Sequence, residues 1–330
     1  MTSESPTKLI LLCPGQGAQR VGMGKDWFDA APEAAQTFAA ADQHLSHERF
    51  ARTLRGRTLS DICFRGPEDE INRTDVAQPA IFVSSAACWQ ALVARGMDPT
   101  ALAATAGLSL GEYTALYLAG SIAFPDALTL VALRGRAMQD AAEASKGSMV
   151  ALIGADDAQA QQVCADTLAA LGAGEILVPA NYNAPGQIVL SGTADACAKA
   201  VEVASAMGLR ATALSVAGAF HSPLMQPAAD QLAEALNEVE IKAPRCPVVS
   251  NVTGVPHGTG PDEGADIVES IKRRLVEQLT APVRWSQSCQ WMIANLQGDL
   301  HELAPGKVLS GLMRRIDRAA KVTSHDEPGN

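Results

Sequence analysis

Ser109 sits in Gly107-Leu108-Ser109-Leu110-Gly111, between a candidate strand and a candidate helix. The spacing matches the G-x-S-x-G turn, whose glycines let the backbone double back and expose a serine hydroxyl above a sheet. The N–H groups opening the next helix would then face the site and favour developing negative charge. That chemistry is nucleophilic attack on an acyl group. The alternative is a small-residue turn in which Ser109 only caps the helix.

A serine of this kind needs a base. In G-x-S-x-G enzymes the base usually follows the nucleophile, which leaves His221, His257, His301 and His325. His325 falls in a polar tail, residues 324–330, that is expected to fray, His257 in a polar loop, and His301 at a candidate strand end. His221 lies in Gly218-Ala219-Phe220-His221-Ser222-Pro223, a loop entering a helix, where reactive groups are commonly displayed. The competing reading is that His221 or Ser222 merely caps the helix before Pro223. No carboxylate occupies an obvious triad position, so the simpler expectation is a dyad oriented by backbone carbonyls.

Arg134 adds a cation. At 100° per residue it shares a helical face with Ala127, Leu130, Val131 and Met138, while Thr129, Arg136, Asp140 and Glu143 lie around the other side. A buried guanidinium is costly unless paired, so Arg134 implies a structural carboxylate or a ligand anion. Arg136 reads as a solvated-face residue. The turn Gly15-Gln16-Gly17-Ala18-Gln19 is no dinucleotide motif, since Arg20 stands where the last glycine belongs, and no Walker A lysine pair follows. It does allow close backbone approach to a small anion, so one N–H here and one after Ser109 make a sensible oxyanion hole. No H-E-x-x-H or cysteine cluster supports a metal.

These groups must be held by a sizeable fold. With 330 residues, 47% of them apolar and 19% charged, the chain can form about two domains and is not a disordered one. Plain apolar runs such as Leu9–Cys13 are far too short to cross a bilayer, and the first eight residues lack a signal-like stretch. Seven cysteines without a C-x-x-C pair fit a reducing cytoplasm. A net charge of −10 disfavours nucleic acid and anionic membrane as partners.

Strand-like and helix-like segments alternate, which predicts an α/β fold. Helices are expected over residues 26–45, 79–95 (with Pro79 first), 112–119, 125–144, 223–236 and 267–279, and strands over 8–13, 101–106 and 247–252. A Gly/Pro-rich loop is read over 254–264, and a strand, turn and helix near 300–316. Residues 147–215 read β-α-β-β-α-β, a ferredoxin-like order, and form an inserted small subdomain between residues 1–146 and 216–330.

Pro14-Gly15-Gln16-Gly17-Ala18-Gln19, Gly107-Leu108-Ser109-Leu110-Gly111-Glu112, Arg134-Gly135, the 218–225 segment, Gln278 and Pro305-Gly306-Lys307 together resemble the malonyl-CoA:acyl carrier protein transacylases. The likeness covers nearly the whole chain in the same order. It implies an α/β-hydrolase-like large subdomain carrying the ferredoxin-like insertion, and transfer of malonyl from malonyl-CoA to a carrier thiol without a cofactor. Carried over by position, Ser109 is the acylated nucleophile, His221 its base, and Arg134 the two-pronged partner of the malonyl carboxylate. The Gln16 and Leu110 amides form the oxyanion hole, the Gln278 carbonyl orients the histidine, and Phe220 disfavours an α-methyl group. One position departs: the family usually has histidine where Leu108 stands, so hydrogen bonding beside the serine must differ. The resemblance also implies a monomer and an acidic carrier, for which Lys272, Arg273, Arg274, Arg314, Arg315, Arg318 and Lys321 are candidate contacts. A serine hydrolase or thioesterase, or service to a polyketide synthase, are the alternatives.

Overall fold

A computed structural model describes residues 8–259 and 266–329. Residues 1–7, the 260–264 part of the Gly/Pro-rich loop and Asn330 lie outside the described residues. The strands in chain order are β1 (Leu9–Cys13), β2 (Leu102–Gly107), β3 (Gly147–Ile153), β4 (Leu177–Ala184), β5 (Gln187–Thr193), β6 (Arg210–Ala213), β7 (Val248–Val249), β8 (Asp299–Leu303) and β9 (Val322–His325). They form two sheets, one ordered β7-β2-β1-β8-β9 with every pairing parallel, the other ordered β4-β5-β3-β6 with every pairing antiparallel.

β1 is buried at all five positions. Continuous aliphatic burial of that kind belongs to the middle of a parallel sheet covered on both faces. The largest apolar cluster packs one side, around the helices Pro32–Leu45, Thr74–Ala94 and Phe124–Ser145, and a smaller one around Trp285 packs the other. A third cluster belongs to the antiparallel sheet and the helices Asp157–Leu171 and Ala194–Ala206.

Several expected boundaries move. The 26–45 helix breaks at Ala31, which is extended (φ −145°, ψ 122°) because the ring of Pro32 disfavours helical backbone before it. Pro79 is not a first residue. It lies inside Thr74–Ala94, whose opening turn is closed by the Ala77 N–H on the Arg73 carbonyl and held outside by the Thr74 N–H on Gln139 Oε1. That helix is also long and apolar enough to cross a membrane, yet 89% of its apolar window is buried inside the protein. Thr129 is buried rather than outward, bonded to His44 Nε2 and Arg49, and Arg136 is largely covered beside Asp75 and Asp140. The tail does not fray through 325: β9 adds in parallel to β8, and His325 is buried against His301.

Candidate active site

The turn that presents Ser109 depends on contacts only glycine permits. A Cβ on Gly107 would lie 1.9 Å from the Gly111 carbonyl carbon, and one on Gly111 would lie 2.1 Å from the Cys13 oxygen. Glycine at both ends therefore lets the Gly111–Leu118 helix start directly against β1 and β2. Ser109 itself is left-handed at φ +52°, and so is His221 at φ +57°. Two non-glycine residues in that sparsely populated region, facing each other, mark a geometry that the surrounding fold enforces.

Ser109 Oγ stands 2.9 Å from His221 Nε2, and His221 Nδ1 stands 2.7 Å from the main-chain oxygen of Gln278. A carbonyl only accepts, so Nδ1 carries the proton and Nε2 is free to accept from the serine. Burial, and after it the Arg134 charge, push the imidazole down to about 4, against the Gln278 carbonyl, which favours the protonated ring. His221 is thus a neutral acceptor at neutral pH. No carboxylate completes a triad among the described residues; the orienting group is a peptide carbonyl.

Arg134 is fully enclosed, 1% exposed, and reaches the same point. Nη2 donates to Ser109 Oγ at 3.1 Å and to Gln278 Oε1 at 2.9 Å, while Nη1 donates to Gln78 Oε1 at 2.7 Å. Nε has no partner among the described residues. The guanidinium is therefore held beside the serine by amide and hydroxyl oxygens, with no carboxylate bonded to it among the described residues. Of the two sequence readings, a structural carboxylate is absent among the described residues.

A cleft of about 550 Å³ opens over this group, lined by Gln16, Leu108, Ser109 and His221 on one side and by Met149, Asn181, Asn183 and Val189 from the antiparallel sheet on the other. Phe220, 6% exposed, lines it beside the histidine. The Gln16 side chain donates to Thr74 Oγ1 at 3.3 Å. Among the described residues, the main-chain N–H groups of Gln16 and Leu110 donate to no backbone carbonyl outside the regular elements. Gly15 makes the approach possible, because a Cβ there would fall 2.2 Å from the Leu108 oxygen. Leu108 lines the cleft as an apolar group, and its N–H is taken by the Cys13 carbonyl at 3.1 Å.

Residues 10–310 match the family model described as the acyl transferase domain. The chain is 39% identical to the malonyl CoA-acyl carrier protein transacylase of Bacillus subtilis, over 98% of this chain and 94% of that protein. The protein belongs to that transacylase family. Its relative in Escherichia coli is 38% identical over 98% of this chain and 97% of its own. The crystal structure of the malonyl-CoA:acyl carrier protein transacylase from Xanthomonas oryzae matches with a TM-score of 0.86 and 37% identity, covering 98% of this chain and 96% of that one. A malonyl-transacylase solved in complex with a type II PKS acyl-carrier protein matches with a TM-score of 0.86 and 36% identity, covering 98% and 97%.

Within this transacylase fold, sequence reasoning missed four groups. Gln78 was hidden in a helix buried on every side, with no polar face to single it out. Asn251 falls within the expected strand over 247–252, but β7 ends at Val249 and the chain bends so that Asn251 Oδ1 takes the Ser109 N–H at 2.5 Å. Glu112 was visible in the motif without a role. His257 was placed in a polar loop and is instead buried, 2.8 Å from Glu112 Oε1. Among the basic candidates, Arg274 is turned inward and bonded to Glu277, whereas Arg314, Arg315, Arg318 and Lys321 are exposed.

Proposed function

We propose that the protein transfers a malonyl group from malonyl-CoA to the phosphopantetheine thiol of acyl carrier protein through a malonyl ester on Ser109. The observation that carries this is the meeting of Ser109 Oγ with His221 Nε2 at 2.9 Å and with Arg134 Nη2 at 3.1 Å. The first contact supports nucleophilic attack; the second puts a cation with no carboxylate bonded to it where the far carboxylate of a short diacid would lie.

Ser109 Oγ attacks the thioester carbonyl as His221 Nε2 takes its proton. The oxyanion is received by the Gln16 and Leu110 amides, the latter at the positive end of the Gly111–Leu118 helix. Collapse breaks the carbon–sulfur bond, and His221 returns the proton to the departing CoA sulfur. The carrier thiol then gives its proton to His221, its sulfur attacks the ester, and Ser109 leaves with that proton restored. General-base catalysis typically contributes about 10² to 10⁴-fold and an oxyanion donor about 10² to 10³-fold, so both are needed.

Phe220 narrows the cleft where an α-methyl group would sit, which supports a preference for malonyl over methylmalonyl. The bulk of the chain, residues 1–146 and 216–330, acts as the α/β-hydrolase-like subdomain. Residues 147–215 act as the ferredoxin-like one, a reading supported by their strand order β4-β5-β3-β6, which is 2-3-1-4 within the unit. A cytoplasmic monomer serving fatty-acid synthesis fits best, its acidic carrier meeting the exposed Arg314, Arg315, Arg318 and Lys321. Brief exposure to malonyl-CoA and mass spectrometry of the intact protein should show one added malonyl group, on Ser109, that passes to added holo carrier protein. Release of free malonate regardless of carrier would favour a thioesterase instead, and no adduct would refute the nucleophile.

A further inference from the structure

Glu112 is wholly buried behind the reactive groups and touches none of the cleft. Its Oε1 accepts from His257 Nε2 at 2.8 Å, and its Oε2 accepts from the Asn251 N–H at 3.1 Å and from Gln278 Nε2 at 2.6 Å. Two of those partners, Asn251 and Gln278, continue to the site. Asn251 holds the turn from both sides, taking the Ser109 N–H on Oδ1 and donating Nδ2 to the Gly107 carbonyl at 2.7 Å. Gln278 donates Nε2 also to the Ser109 carbonyl at 3.1 Å, accepts Arg134 Nη2 on Oε1, and accepts His221 Nδ1 on its main-chain oxygen.

The polarity of this chain has one origin. A side-chain amide offers donors on one edge and an acceptor on the other, and an ionised carboxylate accepts only. Facing Glu112, Gln278 must present its NH₂ there, which leaves its oxygen for Arg134. Reversed, two donor groups would meet and the guanidinium would be driven off the serine. Glu112 is also a counter-charge set one amide away from Arg134: burial pulls the guanidinium toward deprotonation, and Tyr113 and then Glu112 oppose that pull. A carboxylate bonded directly to Arg134 would cancel the charge that a substrate carboxylate needs.

We propose that Glu112 is the positioning residue for acyl selection, aiming Arg134 through the side-chain amide of Gln278. This deepens the malonyl-transfer reading and rests on it. The test is kcat/KM for malonyl-CoA and for acetyl-CoA in Glu112→Gln, in Gln278→Met, which keeps the main-chain carbonyl, and in the double variant, normalised to the Ser109 acylated in a burst. The malonyl-to-acetyl ratio should fall at least about ten-fold in each single variant, the scale of losing one hydrogen bond to a charged group. The double variant should lose no more than the worse single, because both cut one relay. Equal losses on both substrates, an unchanged ratio, or additive losses would overturn the proposal. If Glu112→Gln does not fold, Glu112→Asp, which keeps the charge but withdraws it from Gln278, takes its place in the cycle and is judged by the same ratio. Absence of malonyl transfer by the unaltered protein would instead refute the reading of the site.

Discussion

A cation that is 1% exposed and bonded only to neutral oxygens is stable in the fold because three acceptors replace its water, yet no anion is bonded to it. Arg134→Ala should therefore lower malonyl kcat/KM by about ten- to a hundred-fold, as for a lost charge-assisted contact, while acetyl transfer stays within a few-fold. Parallel assays on the two CoA esters check this; matched losses would remove Arg134 from the acyl carboxylate. The imidazole gives a second expectation. With His221 pushed down to about 4, the base is already neutral at pH 6, so kcat/KM should hold its plateau below the usual histidine range and fall only near pH 4. A pH–rate profile with an acid limb near 6.5 would contradict it. The three side chains that the fold brings together, Ser109, His221 and Arg134, each carry a local mark in the sequence: a glycine-framed turn, a loop before a proline and an inward charge. Gln78, Asn251 and His257 left none, since their roles arise only from bonds across 56 to 145 residues of chain.

Helix–helix contact decides whether those side chains stay aimed. Gly135 follows Arg134 on the Phe124–Ser145 helix, and a Cβ there would stand 2.8 Å from the Thr74 oxygen and 3.3 Å from Gln78 Cβ. Alanine is the better helix former by about 1 kcal/mol, so propensity alone forecasts a gain from Gly135→Ala. Overpacking should win, costing about 1–3 kcal/mol, and the displaced Gln78 should cut malonyl transfer more than acetyl transfer. Urea denaturation with the paired assays tests it; a stabilised variant would show that the two helices can separate freely. The same helix pair explains where periodicity misled. Thr74–Ala94 is buried on nearly all sides, so no polar stripe marks its start, and Pro79 looked like a beginning when the neighbouring helices had already fixed an earlier turn. In the antiparallel sheet, the partly alternating burial of β4 and the Pro-Gly turn before β5 leave sharper boundaries than wholly buried helices do.

Across the whole molecule, two buried histidines far apart in the fold respond alike to acid. His221 and His325 are both pushed down to about 4, the first by burial and Arg134, the second by burial and His301. Unfolding returns them to near 6.5, so the unfolded chain binds more protons below that pH. Stability is complete above about 6.5 and is lost as the pH falls toward 4. At pH 5 the loss should be about 2 kcal/mol per histidine, and His325→Asn should flatten the decline between urea midpoints measured at pH 7.5 and pH 5. An unchanged decline would mean that β9 is released before His325 titrates. The polar sequence of the terminal strand says nothing about the open edge of β8 that receives it, which is why fraying is expected there and pairing is found.

The antiparallel sheet is tied to the segment between Gln278 and the Trp285–Asn295 helix by more than side chains. The Tyr182 N–H donates to the Val283 carbonyl and the Val283 N–H to the Ala180 carbonyl, tying β4 to the segment just beyond Gln278. The far wall of the cleft and the segment that follows Gln278 are thus joined by main-chain hydrogen bonds. An oversized guest that presses on that wall would therefore tug on the stretch of chain that sets the imidazole, so crowding in the cleft is expected to be felt as misalignment of the proton acceptor.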